Sequence, residues 1–409
     1  MRVEFIAIGQ ELLIGQVVNT NAAWLGAAFR RAGLTLARTW TVPDTAEAIH
    51  AALDAALADA EVVVLSGGLG PTRDDVTKAV LAEYFGLPLV LDEALEARLR
   101  AGFAARGVPF LPVQTGQAML PQGCTVLPNP RGTAQGMWFD RAGKVAISLP
   151  GVPYELEGLV EHEVLPRLRE RFALPAAVDA TLVFQGVGES VIADRISDLE
   201  TAWTARGVDF AYLPNGSVVR LRLSASGPVA ADHVAEARDA ILSATGSWVL
   251  GTRDAAPAAF FAEALQDRSW RCAVAESCTG GALAAALTAI PGASTWFLGG
   301  LVPYSEDLKI RLCGVSPDTL AASGAVSEAV VREMAEGVRE RTGAEVGVAT
   351  TGIAGPTGGT PELPVGSVWI AVAHPAGIHA ELVRCGNDRS RVVSRAVQAA
   401  CALAVRALR

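Results

Sequence analysis

Glu61-Val62-Val63-Val64-Leu65-Ser66-Gly67-Gly68-Leu69-Gly70-Pro71-Thr72 carries, after its glutamate, an unbroken apolar run and ends in a glycine-rich loop. Such a run has no wet face. It reads as a strand buried on both sides, the habit of parallel sheets. Helical spacing follows from about Asp75 to Phe85. Upstream, Val3 to Ile8 has a strand pattern, and Asn21 to Ala32 a helical one with Trp24, Leu25, Ala28 and Phe29 on one face. Glu47 to Ala58 repeats the helical spacing. Downstream, Gln114 to Met137 reads as loop, and Lys144 to Leu149 as a strand running into Pro150-Gly151-Val152-Pro153. A helix over Tyr154 to Phe172 closes the segment. Alternating strands and helices imply an α/β fold: a parallel sheet with helices on both faces.

The texture changes between about 175 and 250. Thr181 to Gln185 and Val218 to Ala225 read as strands, and Val219-Arg220-Leu221-Arg222-Leu223 alternates strictly, so one face is wet. Helices over Ser190 to Leu199 and Ala231 to Ala244 complete a small α+β module. A boundary falls at Gly251 to Pro257. The last unit alternates strand and helix again and ends in a helix over Ser390 to Leu408 with Val392, Ala396, Ala399 and Leu403 at helical spacing.

The 409 residues are 51% hydrophobic and 19% charged, which excludes a disordered chain. The net charge of −9 argues against strong nucleic-acid binding, since phosphate backbones are held by cationic surfaces. Six cysteines without a Cys-x-x-Cys pair and five scattered histidines argue against structural zinc or a disulfide framework. The chain opens as a strand rather than a signal peptide, and the most apolar helix, after Gly281, is broken at Pro291-Gly292 before it could span a bilayer. A soluble cytoplasmic protein without membrane partners is expected.

Two clusters carry chemistry. The first is the loop Gly67 to Lys78, at a strand's C-terminal end, where open α/β sheets bind ligands. Gly68 and Gly70 allow a phosphate to approach the backbone, and Thr72 and Lys78 supply donors. Asp74 and Asp75 repel a bare phosphate but suit one bridged by a hard divalent metal, Mg2+ or similar; capping of the following helix is the competing role. No Gly-Lys-Thr/Ser triplet makes it a Walker A loop. Glu11, Asn19 and Asn21 lie in the loop after the first strand and can face this one.

The second is Ala275-Glu276-Ser277-Cys278-Thr279-Gly280-Gly281, a strand end turning into a helix, followed by Tyr304 and Lys309 with no histidine nearby. Ser277 can act as nucleophile and Lys309, if buried and neutral, as its base, with Tyr304 relaying the proton or holding the lysine. Backbone N–H groups of Thr279, Gly280 and Gly281 can stabilise an oxyanion. Cys278 is the rival nucleophile, because a helix N-terminus lowers a thiol pKa. The loop Thr350 to Gly359, again at a strand end, is built for backbone contact with a nucleotide phosphate.

Gly67 to Lys78, Asn19-Thr20-Asn21, Asn129 to Gly136 and Leu149 to Pro153 resemble the N-terminal domain of the CinA family of competence/damage-inducible proteins. Ala275 to Gly281, Gly299-Gly300, Tyr304, Lys309, Gly324 to Ser327 and Thr351 to Gly359 resemble its C-terminal domain. The resemblance implies a three-layer αβα domain similar to MoaB/MogA over 1–172, a KH-like α+β linker over 173–252, and a nicotinamide mononucleotide deamidase over 253–409. It implies Ser277, Tyr304 and Lys309 as catalytic residues, with Thr279, Gly280, Gly281, Thr351, Gly352 and Arg389 around the substrate. No cofactor is implied for the amidase. For the N-terminal domain it implies a metal-dependent ADP-ribose pyrophosphatase, with Glu11, Asn19, Asp74, Asp75 and Lys78 in the corresponding motifs. The family often has Gly-Asp-Glu where this chain has Gly9-Gln10-Glu11, one carboxylate fewer. A homodimer acting on pyridine nucleotides and ADP-ribose is the overall expectation. The alternatives are a metal-dependent pyrophosphatase alone, or a pterin- or nucleotide-binding adaptor tied to competence.

Overall fold

The computed structural model describes residues 1–72, 75–172, 174 and 177–409. The chain folds as two units, Met1–Val178 with Ser226–Pro228, and Asp179–Ala225 with Val229–Arg409.

The first unit is built on a six-stranded sheet in the order Leu36–Val42, Val3–Ile8, Val62–Ser66, Lys144–Leu149, Gly136–Arg141, Thr125–Leu127. The first four strands run parallel, and for Val3–Ile8, Val62–Ser66 and Lys144–Leu149 this is what the sequence predicts. The last two are antiparallel, so the sheet is mixed rather than purely parallel. This edge falls largely in the segment read as loop, because a strand as short as Thr125–Leu127 among prolines shows no period of its own. The edge strand Leu36–Val42 escaped the sequence reading too; most of its residues are exposed, which leaves no apolar run.

Alternate residues of the central strands feed opposite layers. Phe5, Val62, Val64 and Ile147 pack with Leu25, Phe29 and Leu156 on one face; Ile6, Val63, Leu65 and Ala146 pack with Ile49, Leu53 and Leu81 on the other. That is why Val62–Leu65 has no polar member. The predicted helix over Tyr154–Phe172 is Pro153–Leu159, a π turn at Val160–Val164, and Leu165–Arg171. Pro166 has no N–H for the carbonyl one turn back, and the ladder widens just before it.

The second unit holds a four-stranded sheet in the order Asp209–Asn215, Val218–Ser226, Ala177–Gln185, Val249–Gly251, with helices Glu189–Thr204 and Ala230–Thr245. Val219, Leu221 and Leu223 are buried while Arg220 and Arg222 are half-buried, so the alternation holds but the second face is only partly wet. It also holds a five-stranded sheet in the order Phe297–Leu301, Cys272–Glu276, Val346–Gly352, Ser367–His374, Gly377–Arg384. The first three strands are parallel and the last two antiparallel. Val274 and Val348 pack against Phe261, Leu283 and Leu403 on one face; Ala273, Ala275 and Ala349 pack against Val331 and Met334 on the other. The final helix, Arg389–Leu408, is capped by Asp388, which accepts from the Arg391 N–H. Among the described residues no helix is long and apolar enough to cross a membrane.

Candidate active site

Ser277 follows directly on the strand Cys272–Glu276, and its N–H donates to the Thr350 carbonyl at 2.9 Å, fixing the turn to the neighbouring strand. Lys309 lies on the helix Glu306–Cys313, whose start is capped by Ser305. The lysine is 2% exposed and the serine 8%. Lys309 Nζ donates to Ser277 Oγ at 2.8 Å, to the Pro303 carbonyl at 2.9 Å and to the Tyr304 carbonyl at 3.4 Å. All three partners are neutral. Burial pushes the Lys309 amine below its ordinary value, only partly opposed by Cys278, Cys313 and Glu306.

Glu276, read from the sequence only as a neighbour of the nucleophile, is fully buried. Its carboxylate accepts from the N–H groups of Gly281 at 3.0 Å, Leu283 at 2.9 Å and Ala284 at 2.7 Å. It therefore ties the start of the helix Ala282–Thr288 back to the strand end that carries Ser277. Gly281 makes this possible with φ at 100°, a conformation open to glycine. The same bonds change the oxyanion expectation. The Gly281 N–H is taken by Glu276 and the Gly280 N–H by the Ser277 carbonyl at 3.2 Å, so of the expected donors only the Thr279 amide is left to this role.

Burial, with Cys385 beside it, pushes the Cys278 thiol up to about 12, the opposite of the depression expected at a helix start. A thiol this reluctant to ionise is no nucleophile at neutral pH. Thr279 Oγ1 pairs with Thr350 Oγ1 at 2.8 Å, and Thr351 Oγ1 donates to the Ala325 carbonyl at 2.8 Å, so both threonines brace the floor. Gly352 lies where a Cβ would come within 2.7 Å of the Ser367 carbonyl oxygen. Tyr304 is 57% exposed, and its hydroxyl accepts from Arg389 Nη2 at 3.0 Å while Arg389 Nη1 donates to the Gly355 carbonyl at 2.9 Å. It is thus the Tyr304 carbonyl that holds Lys309, and the hydroxyl turns to Arg389.

In the first unit a cavity of about 450 Å³ opens at the strand ends, lined by Glu11, Asp44, Gly68, Gly70, Asp75 and Glu155 among others. A smaller one of about 100 Å³ is lined by Glu11, Asn19, Asn21 and Ser66. Asn19 caps the helix Thr20–Arg31, and Asn21 Nδ2 donates to Ser66 Oγ at 3.2 Å and the Gly151 carbonyl at 2.9 Å. Asn21 Oδ1 is buried without a partner among the described residues. Asp75 accepts from the Gly70 N–H at 2.8 Å, from the Thr72 N–H at 2.9 Å and from the Thr72 hydroxyl, so both its oxygens staple the loop. This explains why the helix predicted from Asp75 begins at Thr77. Gly68, with φ at 66°, leaves no room for a side chain: a Cβ would lie 2.2 Å from Thr77 Oγ1. Lys78 Nζ donates to the Gly116 carbonyl at 2.8 Å, and burial lowers its pKa to about 8.

The implied divalent metal finds a poor fit here. Among the described residues no group of three or more histidine, cysteine, aspartate or glutamate side chains is placed to hold an ion. Asp74 lies outside the described residues. With Asp75 engaged by the loop, the described carboxylates do not by themselves make a cation site.

Residues 4–170 match the family model described as "Probable molybdopterin binding domain", and residues 254–408 match the "CinA C-terminal domain". A CinA-like protein of Salinibacter ruber is 42% identical over 393 residues, covering 95% of either chain. This chain belongs to the CinA family. A second CinA-like protein, from Gemmatimonas aurantiaca, is 41% identical over 407 residues, covering 98% of this chain and 95% of its own. A solved CinA superfamily protein from Klebsiella pneumoniae is 39% identical, covering 37% of this chain and 95% of that one, with a TM-score of 0.36. The family resemblance read from the motifs is therefore borne out. Within this CinA chain, the Ser277–Lys309 pair that sequence spacing suggested is brought together, whereas Glu276 was missed. Its only signal was a carboxylate ending a buried strand just before a nucleophile turn.

Proposed function

We propose that the C-terminal domain of this CinA protein is a serine amidohydrolase that converts nicotinamide mononucleotide to nicotinic acid mononucleotide and ammonia. The observation that carries the reading is the buried Lys309 Nζ at 2.8 Å from Ser277 Oγ. A neutral amine has two N–H donors and one lone pair. The Pro303 and Tyr304 carbonyls occupy these two donors, so once the amine is neutral its contact with Ser277 reverses and the lone pair accepts from the serine hydroxyl.

Ser277 Oγ attacks the carboxamide carbon as its proton passes to Lys309. The tetrahedral oxyanion falls to the Cys278 and Thr279 amides, the N–H groups of the turn not claimed by Glu276 or Ser277. Protonated Lys309 then returns its proton to the departing nitrogen, releasing ammonia and leaving an acyl-serine. Water, deprotonated by Lys309, cleaves the ester and frees the acid. Thr351, Gly352 and Arg389 belong to the substrate's surroundings. No metal enters this sequence.

Ammonia release from nicotinamide mononucleotide tests it. Ser277→Ala and Lys309→Ala should each cost about 10⁴-fold or more in kcat, the scale for removing one member of a nucleophile–base unit. Full turnover by folded Ser277→Ala would overturn the assignment.

For the N-terminal domain we propose a nucleotide-pyrophosphate site in the 450 Å³ cavity, with ADP-ribose as substrate and any divalent metal brought on the substrate's pyrophosphate rather than held by a cluster of the described carboxylates. AMP formation from ADP-ribose with and without Mg2+ decides it; no turnover under either condition makes the cavity a binding site only. The proposed assembly is a homodimer, which sedimentation in solution tests.

A further inference from the structure

In the first unit the strands Gly136–Arg141 and Lys144–Leu149 are joined by only two residues, Ala142 with φ at 51° and Gly143 with φ at 82°. This is the tight turn whose twist matches a hairpin. It sets Arg141 directly opposite Lys144, with both side chains on one face of the sheet. Like charges so placed repel each other. Among the described residues no carboxylate pairs with either of them. Arg141 Nη1 donates to the Tyr84 carbonyl at 3.3 Å, and Lys144 Nζ donates to the carbonyls of Leu57 and, at 3.1 Å, Ala58. The neighbouring acids are committed elsewhere. Asp140 holds Arg171 and the Trp138 N–H, Glu61 accepts from the Arg2 N–H, and Asp54 accepts from the Tyr84 hydroxyl at 2.7 Å.

Both cations line a cavity of about 330 Å³ whose floor is Phe85, Phe139 and Ala146; Tyr84 and Asp54 line it too. Phe85 and Phe139 stack with ring centres 4.6 Å apart and planes 6° from parallel, and Tyr84 stands edge-on to Phe85 at 5.1 Å. This cavity is separate from the one at the glycine-rich loop. The helix Thr77–Phe85 starts beside Gly68 and ends in Tyr84 and Phe85, and its nine residues carry the chain about 13 Å. The two cavities also open at opposite ends of the strand Lys144–Leu149, with Lys144 lining this one and Pro150 and Gly151 the other.

We propose that this cavity binds a nucleoside monophosphate, with the base on the aromatic floor and the phosphate between Arg141 and Lys144. Charge and size select the class. A phosphate monoester carries close to two negative charges at neutral pH and answers two cations, whereas a carboxylate answers one. A volume of about 330 Å³ lies at the lower end for ligand cavities, enough for one ring system with its sugar but not for a dinucleotide. The cations have donors to spare, since Lys144 engages two of its three and Arg141 one of its five. Asp54 keeps acceptor capacity for a sugar hydroxyl or an exocyclic amine beyond its bond to Tyr84. The site is a receptor and takes part in neither of the proposed reactions.

The probe is 8-azidoadenosine 5′-monophosphate, photolysed with the full chain, and the labelled peptides are mapped by mass spectrometry. Label is expected on Tyr84, Phe85 or Phe139. Arg141→Gln and Lys144→Gln should each reduce that label roughly 10-fold, the scale of one lost hydrogen bond to a charged group. Label elsewhere on the chain is the internal reference, because a variant that fails to fold loses labelling everywhere, while loss confined to these aromatics supports the site. Unlabelled AMP should displace the wild-type label and adenosine at the same concentration should not; this arm decides the matter without any variant. Label only at other residues overturns the proposal, as does label on these aromatics that both substitutions together leave undiminished. Displacement by adenosine as effective as by AMP overturns the phosphate receptor.

Discussion

Replacing Glu276 by glutamine exchanges one oxygen for an NH2 group and should loosen the whole nucleophile turn. One carboxylate oxygen accepts from the Gly281 and Leu283 N–H groups and the other from Ala284. An amide has a single accepting oxygen, so in either orientation at least one of these donors faces an NH2 group. One charge-assisted bond is lost outright and the rest become neutral, which together cost about 3 kcal/mol. The helix concerned, Ala282–Thr288, has only seven residues and cannot hold itself together without this tether. Hydrogen–deuterium exchange resolved to residues 277–288 is the assay. Exchange there should accelerate roughly a hundredfold, the factor equivalent to that free energy, while the first unit is unaffected. Unchanged protection of this segment in Glu276→Gln would refute the argument, because the carboxylate would then be an onlooker.

The remaining expectations concern the chemistry. Burial places the Lys309 pKa below its ordinary 10.5, so kcat/KM for ammonia release should rise with pH through that lowered value and level off before 10.5; a flat profile would remove lysine as the base. The stability linkage has the same sign. Between the folded and unfolded pKa values the unfolded chain binds more protons, so this group's contribution becomes more favourable as pH rises across that window, as a pH series of denaturant melts would show. Cys278→Ala should keep ammonia release within a few-fold of wild type, whereas near-complete loss would return the thiol to contention. Prolonged dialysis against a chelator should leave ammonia release intact; a loss restored by one added metal would overturn the metal-free sequence of steps.

Much of the fold is legible locally. The run Val62–Leu65 announces a strand covered on both faces, because each of its residues faces one of two helical layers and none can be polar. The sequence also places a strand end before the loop Thr350 to Gly359, where Val346–Gly352 lies, and helical spacing finds the last helix, expected over Ser390 to Leu408 and observed over Arg389–Leu408. Such reading fails at Thr125–Leu127 and Leu36–Val42, where a strand is too short or too exposed to leave a pattern. At the site, the order of Ser277, Tyr304 and Lys309 and the family motifs name the participants.

What the sequence alone determined is therefore the family, the buried parallel strands and the nucleophile with its lysine, since these depend on residue type and spacing along the chain. Tertiary structure decided which groups are free to act. Glu276 reaches residues up to eight positions away and takes the Gly281 N–H from the oxyanion role, Cys278 is silenced by its apolar surroundings, and Tyr304 turns its hydroxyl to Arg389, 85 positions along the chain. Hydrogen-bond commitment and desolvation belong to the assembled surroundings of a residue, and no local pattern encodes them.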